Sequence, residues 1–141
     1  MLRELGGGDS VSPEQLSPLV LAYVGDAVYE LYVRCQLVER GPTRVHQLHQ
    51  EAVRLVRATS QARFLSRIEA ELTEEETGIM KRGRNAHSGP PPRGTETVEY
   101  RLSTGLESLI GFLYLRGDLR RIEEILSRLP WPRQERDKTA G

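Results

Sequence analysis

The chain predicts an all-α domain, and three observations carry that prediction. Apolar residues recur at spacings of three and four through nearly every segment between residues 12 and 130, the period of one helix face. Helix-start signals precede these segments, and glycine or proline stops follow several of them. No stretch alternates apolar and polar residues convincingly, as a half-buried strand does.

Each element has its own signal. Ser12-Pro13-Glu14-Gln15 offers an N-cap serine, proline at the first helical position and glutamine at N3, so a short helix starts there. Ser17-Pro18 repeats the signal and opens a long helix to about Arg40. Its expected inward stripe is Leu19, Val20, Tyr23, Val24, Ala27 and Leu31. Gly41-Pro42 stops it, and Thr43 can cap the next. That next helix is expected from about Arg44 to Glu71, burying Val45, Leu48, Ala52, Val53, Val56, Phe64, Leu65 and Ile68.

Thr73-Glu74-Glu75-Glu76 is a capping box opening a short helix that ends in Lys81-Arg82-Gly83-Arg84-Asn85. His87-Ser88-Gly89-Pro90-Pro91-Pro92-Arg93-Gly94 is too rich in glycine and proline for regular structure, so 86–97 is expected as a loop. Thr97 is expected to cap a helix through Leu115, with Leu102, Leu106, Leu109, Ile110 and Leu113 inward. Gly117 ends it, and Asp118 caps a last helix carrying Leu119, Ile122, Ile125 and Leu126 up to Pro130. The domain is thus expected over 12–130, between a mobile glycine-rich start (1–11) and a flexible charged tail (131–141).

At 141 residues and 38% hydrophobic, the chain suits one domain with a modest core. Its 20 basic and 20 acidic side chains cancel, so only their distribution is informative. Arg40 to Arg67 holds six arginines against Glu51 alone, Glu69 to Glu76 holds five glutamates and no base, and Gly78 to Arg101 turns positive again. Such segregation suits an anionic partner on one face, although solvated helix faces give similar patterns. A single cysteine, Cys35, excludes an internal disulfide or a cysteine-based zinc site; it is expected to be a small buried hydrophobe. There is no apolar leader and no run of membrane-spanning length, so a cytoplasmic protein is expected.

The chemistry is expected at acids that interrupt apolar helices. Asp26 lies in Tyr23-Val24-Gly25-Asp26-Ala27-Val28-Tyr29-Glu30-Leu31, where it has no N–H to cap and lowers helix propensity. Glu107 repeats the pattern in Gly105-Leu106-Glu107-Ser108-Leu109. Two helices that each bring a carboxylate to the flank of a buried stripe can share a cation, and magnesium needs only one or two protein carboxylates. Glu30 is four residues from Asp26, on the same side of the helix; it is read first as the i,i+4 partner of Arg34 and second as an outer acid that orients metal waters. His46 and His49 are read as structural or solvated. Lys81, Arg82 and Arg84, with Asn85, are read as a phosphate-contacting cluster before the loop, the simpler account being compensation of a helix C-terminus.

These segments resemble a known family. Tyr23 to Leu31 looks like the signature segment of ribonuclease III catalytic domains, and Tyr100-Arg101-Leu102-Ser103-Thr104-Gly105-Leu106-Glu107-Ser108-Leu109-Ile110-Gly111 looks like their second acidic segment. With Lys81-Arg82-Gly83-Arg84-Asn85-Ala86 between them, and nothing large enough after Pro130 for a double-stranded-RNA-binding domain, the chain resembles the compact Mini-III ribonucleases over about residues 12–129. The resemblance implies an all-helical homodimer cutting double-stranded or structured RNA with magnesium (manganese as a substitute), leaving 5′-phosphate and 3′-hydroxyl ends. It implies Asp26 and Glu107 as catalytic metal ligands, Tyr23 at the dimer interface, and the 86–97 loop near an RNA groove; Thr104 and Glu30 are candidates for outer residues beside the metal ligands. Maturation of a ribosomal RNA precursor (23S), with a ribosomal protein as a further partner, is the implied task. Leu19, Ala22 and Thr104 stand where full-length enzymes carry further acids. That departure motivates an alternative from another class, a non-catalytic RNA- or ribosome-binding module.

Overall fold

A computed structural model of the protein describes residues 12–40, 44–86, 90, 93 and 96–132. A 3-10 turn (Pro13–Gln15) leads into α1 (Pro18–Arg40), followed by α2 (Val45–Val56) and α3 (Ala58–Ile68). A second 3-10 turn (Glu69–Glu71) precedes α4 (Glu74–Asn85), α5 (Thr97–Arg116) and α6 (Leu119–Leu126). No strand occurs among the described residues, as the helical periodicity predicts.

Helix α5 is the axis on which the rest is built. Residues 103–113 are buried apart from Glu107, which is partly so; a helix apolar on all sides must be enclosed by neighbours. Helices α1, α3 and α4 pack around it, and α6 lies against it. Phe112, Leu106, Leu109, Ile110 and Leu113 meet Leu21, Tyr29, Val33, Phe64, Leu65, Met80 and Leu126 in one core. The Tyr29 hydroxyl donates to the Leu55 carbonyl at 3.1 Å, so the largest polar group in that core is satisfied.

The α1–α5 crossing is backbone against backbone. A Cβ on Gly25 would stand 1.7 Å from the Glu107 carbonyl oxygen, and one on Gly111 would stand 1.9 Å from that of Leu21. Only glycine allows this approach. It sets Asp26, the next residue, against the turn of α5 that carries Glu107.

Several local expectations hold. Ser17 Oγ accepts from Val20 N–H at 3.3 Å, and Thr73 and Glu76 exchange both capping-box bonds. Gly117 ends α5 in the left-handed region (φ 87), and the Asp118 carboxylate accepts from Arg121 N–H.

Others are corrected. The stripe expected to face inward on α1 points outward: Leu19, Val20, Tyr23, Ala27 and Leu31 are exposed, and Leu21, Ala22, Gly25, Tyr29, Val33 and Leu37 are buried instead. Both faces of α1 are apolar, so periodicity could not choose between them. The single helix expected over 44–71 is broken at Arg57, whose backbone is extended (ψ 154) and whose side chain offers no N-cap bond to α3. Val45 (80% exposed) and Val53 stand outside the core while Leu55 enters it, and Leu119 is likewise exposed. Glu96 rather than Thr97 precedes α5, without a side-chain cap. Cys35 is exposed. Trp131, expected to open an unpacked tail, lies against Tyr32 and beneath Arg40, and its indole N–H donates to the Leu126 carbonyl. Gly41-Pro42, Thr43, residues 1–11 and 133–141 and most of the 86–97 loop lie outside the described residues.

Candidate active site

Asp26 and Glu107, 81 positions apart in sequence, meet where α1 crosses α5. Glu107 is partly buried, and its pKa is pushed up to about 8 from the ordinary 4.5. Removal from water is the largest cause, followed by the charge of Asp26 and a hydrogen bond shared with it. Two carboxylates held this close cannot both ionise without a compensating positive charge. Asp26 lies on the exposed side of the pair, so the site opens to solvent.

Gln61, on α3, also belongs to this site, although it is absent from the residues the sequence singles out. It is only 2% exposed. Its Nε2 donates to the Val56 carbonyl at 2.8 Å and to Glu107 Oε2 at 3.4 Å. The carbonyl accepts only, which fixes the orientation of the amide. Gln61 Oε1 is then buried with no hydrogen-bond partner among the described residues. The signal was available: Gln61 is a polar residue on the apolar face Ala62, Phe64, Leu65, the same anomaly that singled out Asp26.

The other expected residues are placed differently. Glu30 pairs with Arg34 at 2.8 Å, the first of its two expected roles. Thr104 is buried and donates its hydroxyl to the Tyr100 carbonyl at 3.0 Å, in the manner of hydroxyls inside helices. Tyr23 is 75% exposed, which removes the reading of it as an intrachain core residue. His46 and His49 are exposed. Lys81, Arg82 and Asn85 are exposed on the last turns of α4, and Arg84 Nε donates to Asn85 Oδ1 at 3.3 Å.

The donor set suits a hard divalent cation. Two converging carboxylates, one of which retains its proton near neutral pH for want of positive charge, supply the oxygens that magnesium or manganese prefers. No third His, Cys, Asp or Glu joins them among the described residues. Ala22 is buried and Leu19 lies on the outward face of α1. A cation here would keep most of its coordination sphere as water, as magnesium commonly does.

Helices surrounding a central one whose half-buried acid, Glu107, meets a second across a glycine crossing suit a metal-dependent hydrolytic domain, and sequence comparison agrees. The ribonuclease III domain matches residues 19–118. A Mini-ribonuclease 3 of Symbiobacterium thermophilum is 48% identical over 82% of this chain and 88% of its own length. One from a Thermoanaerobacter species is 49% identical over 79% of this chain and 78% of its own. A crystal structure of a Fusobacterium nucleatum protein superposes with a TM-score of 0.74 at 31% identity, covering 84% of this chain and 94% of that one. The chain belongs to the ribonuclease III family, among its Mini-ribonuclease 3 members, and is an endoribonuclease acting on RNA. Membership also makes it metal-dependent. No helix among the described residues is long and apolar enough to cross a membrane.

Proposed function

We propose that this chain is a homodimeric, magnesium-dependent endoribonuclease for double-stranded RNA, with Asp26 and Glu107 as its metal ligands and manganese as an alternative ion. The observation that carries the reading is the convergence of these two acids, with Glu107 held protonated up to about pH 8 by burial and by Asp26. A divalent cation bound between them would stabilise charge on the phosphoryl oxygens and make hydroxide available at neutral pH. The chain's own residues do the rest. Asp26 presents its carboxylate to solvent, where a phosphodiester can approach. Glu107 would hold the cation as a carboxylate after giving its proton to solvent, and Gln61 limits its rotation through the bond to Oε2. A nucleophile from Ser, His or Cys is then unnecessary, and hydrolysis leaves 5′-phosphate and 3′-hydroxyl ends.

The dimer is supported by the outward face of α1. Leu19, Val20, Tyr23 and Leu31 share one side of that helix and are exposed, an apolar face of the kind that marks protein contacts. The relatives are ribonucleases by name, which favours cutting over the binding-only alternative. Motif resemblance supports the remaining assignments: trimming of a ribosomal RNA precursor (23S) in the cytoplasm, with a ribosomal protein as assistant.

Asp26→Asn tests the reading. Beside wild type on a long RNA duplex with magnesium, its cleavage rate is expected to fall by more than about a hundredfold, since a metal's charge stabilisation is worth several kcal/mol. Its melting temperature in chelator should not fall. Equal cutting by the two proteins would remove Asp26 from the site.

A further inference from the structure

The arginines of 40–67, six against Glu51, are not absorbed by the carboxylate site. Four of them, Arg54, Arg57, Arg63 and Arg67, line one groove of about 350 Å3, with Ser60 among them and Leu55 and Phe64 beneath. The break at Arg57 builds it. Extended backbone there turns the chain between α2 and α3, so side chains from the last turn of one helix and from the length of the other meet in one hollow.

Two of these side chains are held by neutral acceptors. Arg54 donates to the Pro130 carbonyl at 3.1 Å and Arg57 Nε to Ser60 Oγ at 3.3 Å, while Ser60 donates to the Arg54 carbonyl. Arg54 also pairs with Glu51 at 2.8 Å. Arg57, Arg63 and Arg67 have no acid within salt-bridge distance among the described residues. A solvated helix face intersperses its cations with acids. Here no carboxylate lines the groove. Guanidinium forks match phosphate oxygens in geometry as well as charge.

We propose that this groove is a binding site for the sugar–phosphate backbone of an RNA duplex, separate from the Lys81–Asn85 cluster on α4. The inference rests on the endoribonuclease reading and extends it by naming where the substrate is gripped. Helix α3 joins the two places, since it brings Gln61 to Glu107 and Ser60, Arg63 and Arg67 to the groove. The groove reads no sequence; phosphate contacts position a duplex without specifying it.

The test is steady-state cleavage of a long RNA duplex in magnesium across a salt series, comparing wild type with Arg63→Gln/Arg67→Gln and Arg63→Glu/Arg67→Glu. Loss of two phosphate contacts should make the slope of log(kcat/KM) against log salt shallower by about two in the glutamine variant. The glutamate variant should raise KM by about tenfold or more at low salt, with kcat little changed. An unchanged slope and KM would overturn the groove as an RNA contact. So would variants that lose only affinity for inorganic phosphate, measured by calorimetry, while cutting the duplex as wild type does. Should the glutamate variant fail to fold, the glutamine variant's slope decides. A wild type that cuts no duplex would instead defeat the double-stranded-RNA reading, a distinct outcome.

Discussion

Glu76 and Glu107 stand on two helices packed against each other, and their surroundings are opposite. Glu76, 2% exposed, accepts from Arg121 Nε at 2.8 Å, from a second nitrogen of the same guanidinium at 2.9 Å and from Thr73 N–H at 2.9 Å. Burial alone would raise its pKa, but the Arg121 and Thr73 bonds outweigh that and hold it below the ordinary value. Glu107 has another carboxylate and a weakly placed amide instead, and it rises to about 8. The fold neutralises the first acid from within, fastening α6 to the start of α4. It leaves the second uncompensated, beside solvent. A buried acid without its own cation is where an external one is expected, and this distinguishes a structural ion pair from a candidate active site.

The largest effect should come from breaking the matched acid. Arg121→Ala leaves Glu76 buried without its partner and should cost about 3 kcal/mol in urea unfolding. Glu107→Gln, by contrast, should cost little in chelator at pH 6 and stabilise the protein above pH 8. The two acids also predict pH dependences of opposite sign. Glu76 has a lowered pKa, so its stabilisation is complete above the ordinary value of 4.5 and is lost as pH falls through the lowered one. Glu107 has a raised pKa, so its contribution is complete below 4.5 and is lost as pH rises from there to about 8. In metal-free protein, thermal melts should therefore show a descending limb toward pH 8 that Glu107→Gln flattens and Arg121→Ala retains. A limb unchanged in Glu107→Gln would break the contrast.

A smaller effect sharpens it. Gln61→Leu removes the bonds to Glu107 and to the Val56 carbonyl and, with them, an unpartnered buried oxygen. Leaving the Val56 carbonyl without its donor should cost about 1 kcal/mol, part of it offset by removing the unpartnered oxygen, whereas losing an outer partner of a metal ligand typically weakens binding about tenfold. Calorimetric titration with manganese should show that loss of affinity, with a melting temperature lowered only slightly. A lowered melting temperature with unchanged affinity would make Gln61 a packing residue only.

The contrast was half legible in the sequence. Thr73 and Glu76 announced a capping box, and Asp26 and Glu107 announced themselves as acids in apolar helices. Arg121 as the partner of Glu76 was not readable, because the pair spans 45 positions and depends on how α6 docks. The inward face of α1 is not legible from periodicity, because Leu19, Val20 and Tyr23 are as apolar as Leu21, Tyr29 and Val33; the glycines at the α1–α5 crossing select the inward side. The break at Arg57 carries neither proline nor glycine, so nothing local marked it, and the arginine groove that depends on it stayed hidden. Gln61 is hard to read for a different reason, since an uncharged amide on an apolar face is a weaker anomaly than an acid.

The most direct measurement is a crystal soaked in manganese, read by anomalous scattering. A single strong peak bridging the carboxylates of Asp26 and Glu107 in every subunit is the result expected. Peaks only elsewhere, or none at that crossing under conditions in which the same crystals' protein cuts RNA, would contradict the assignment of these two acids as the metal's ligands.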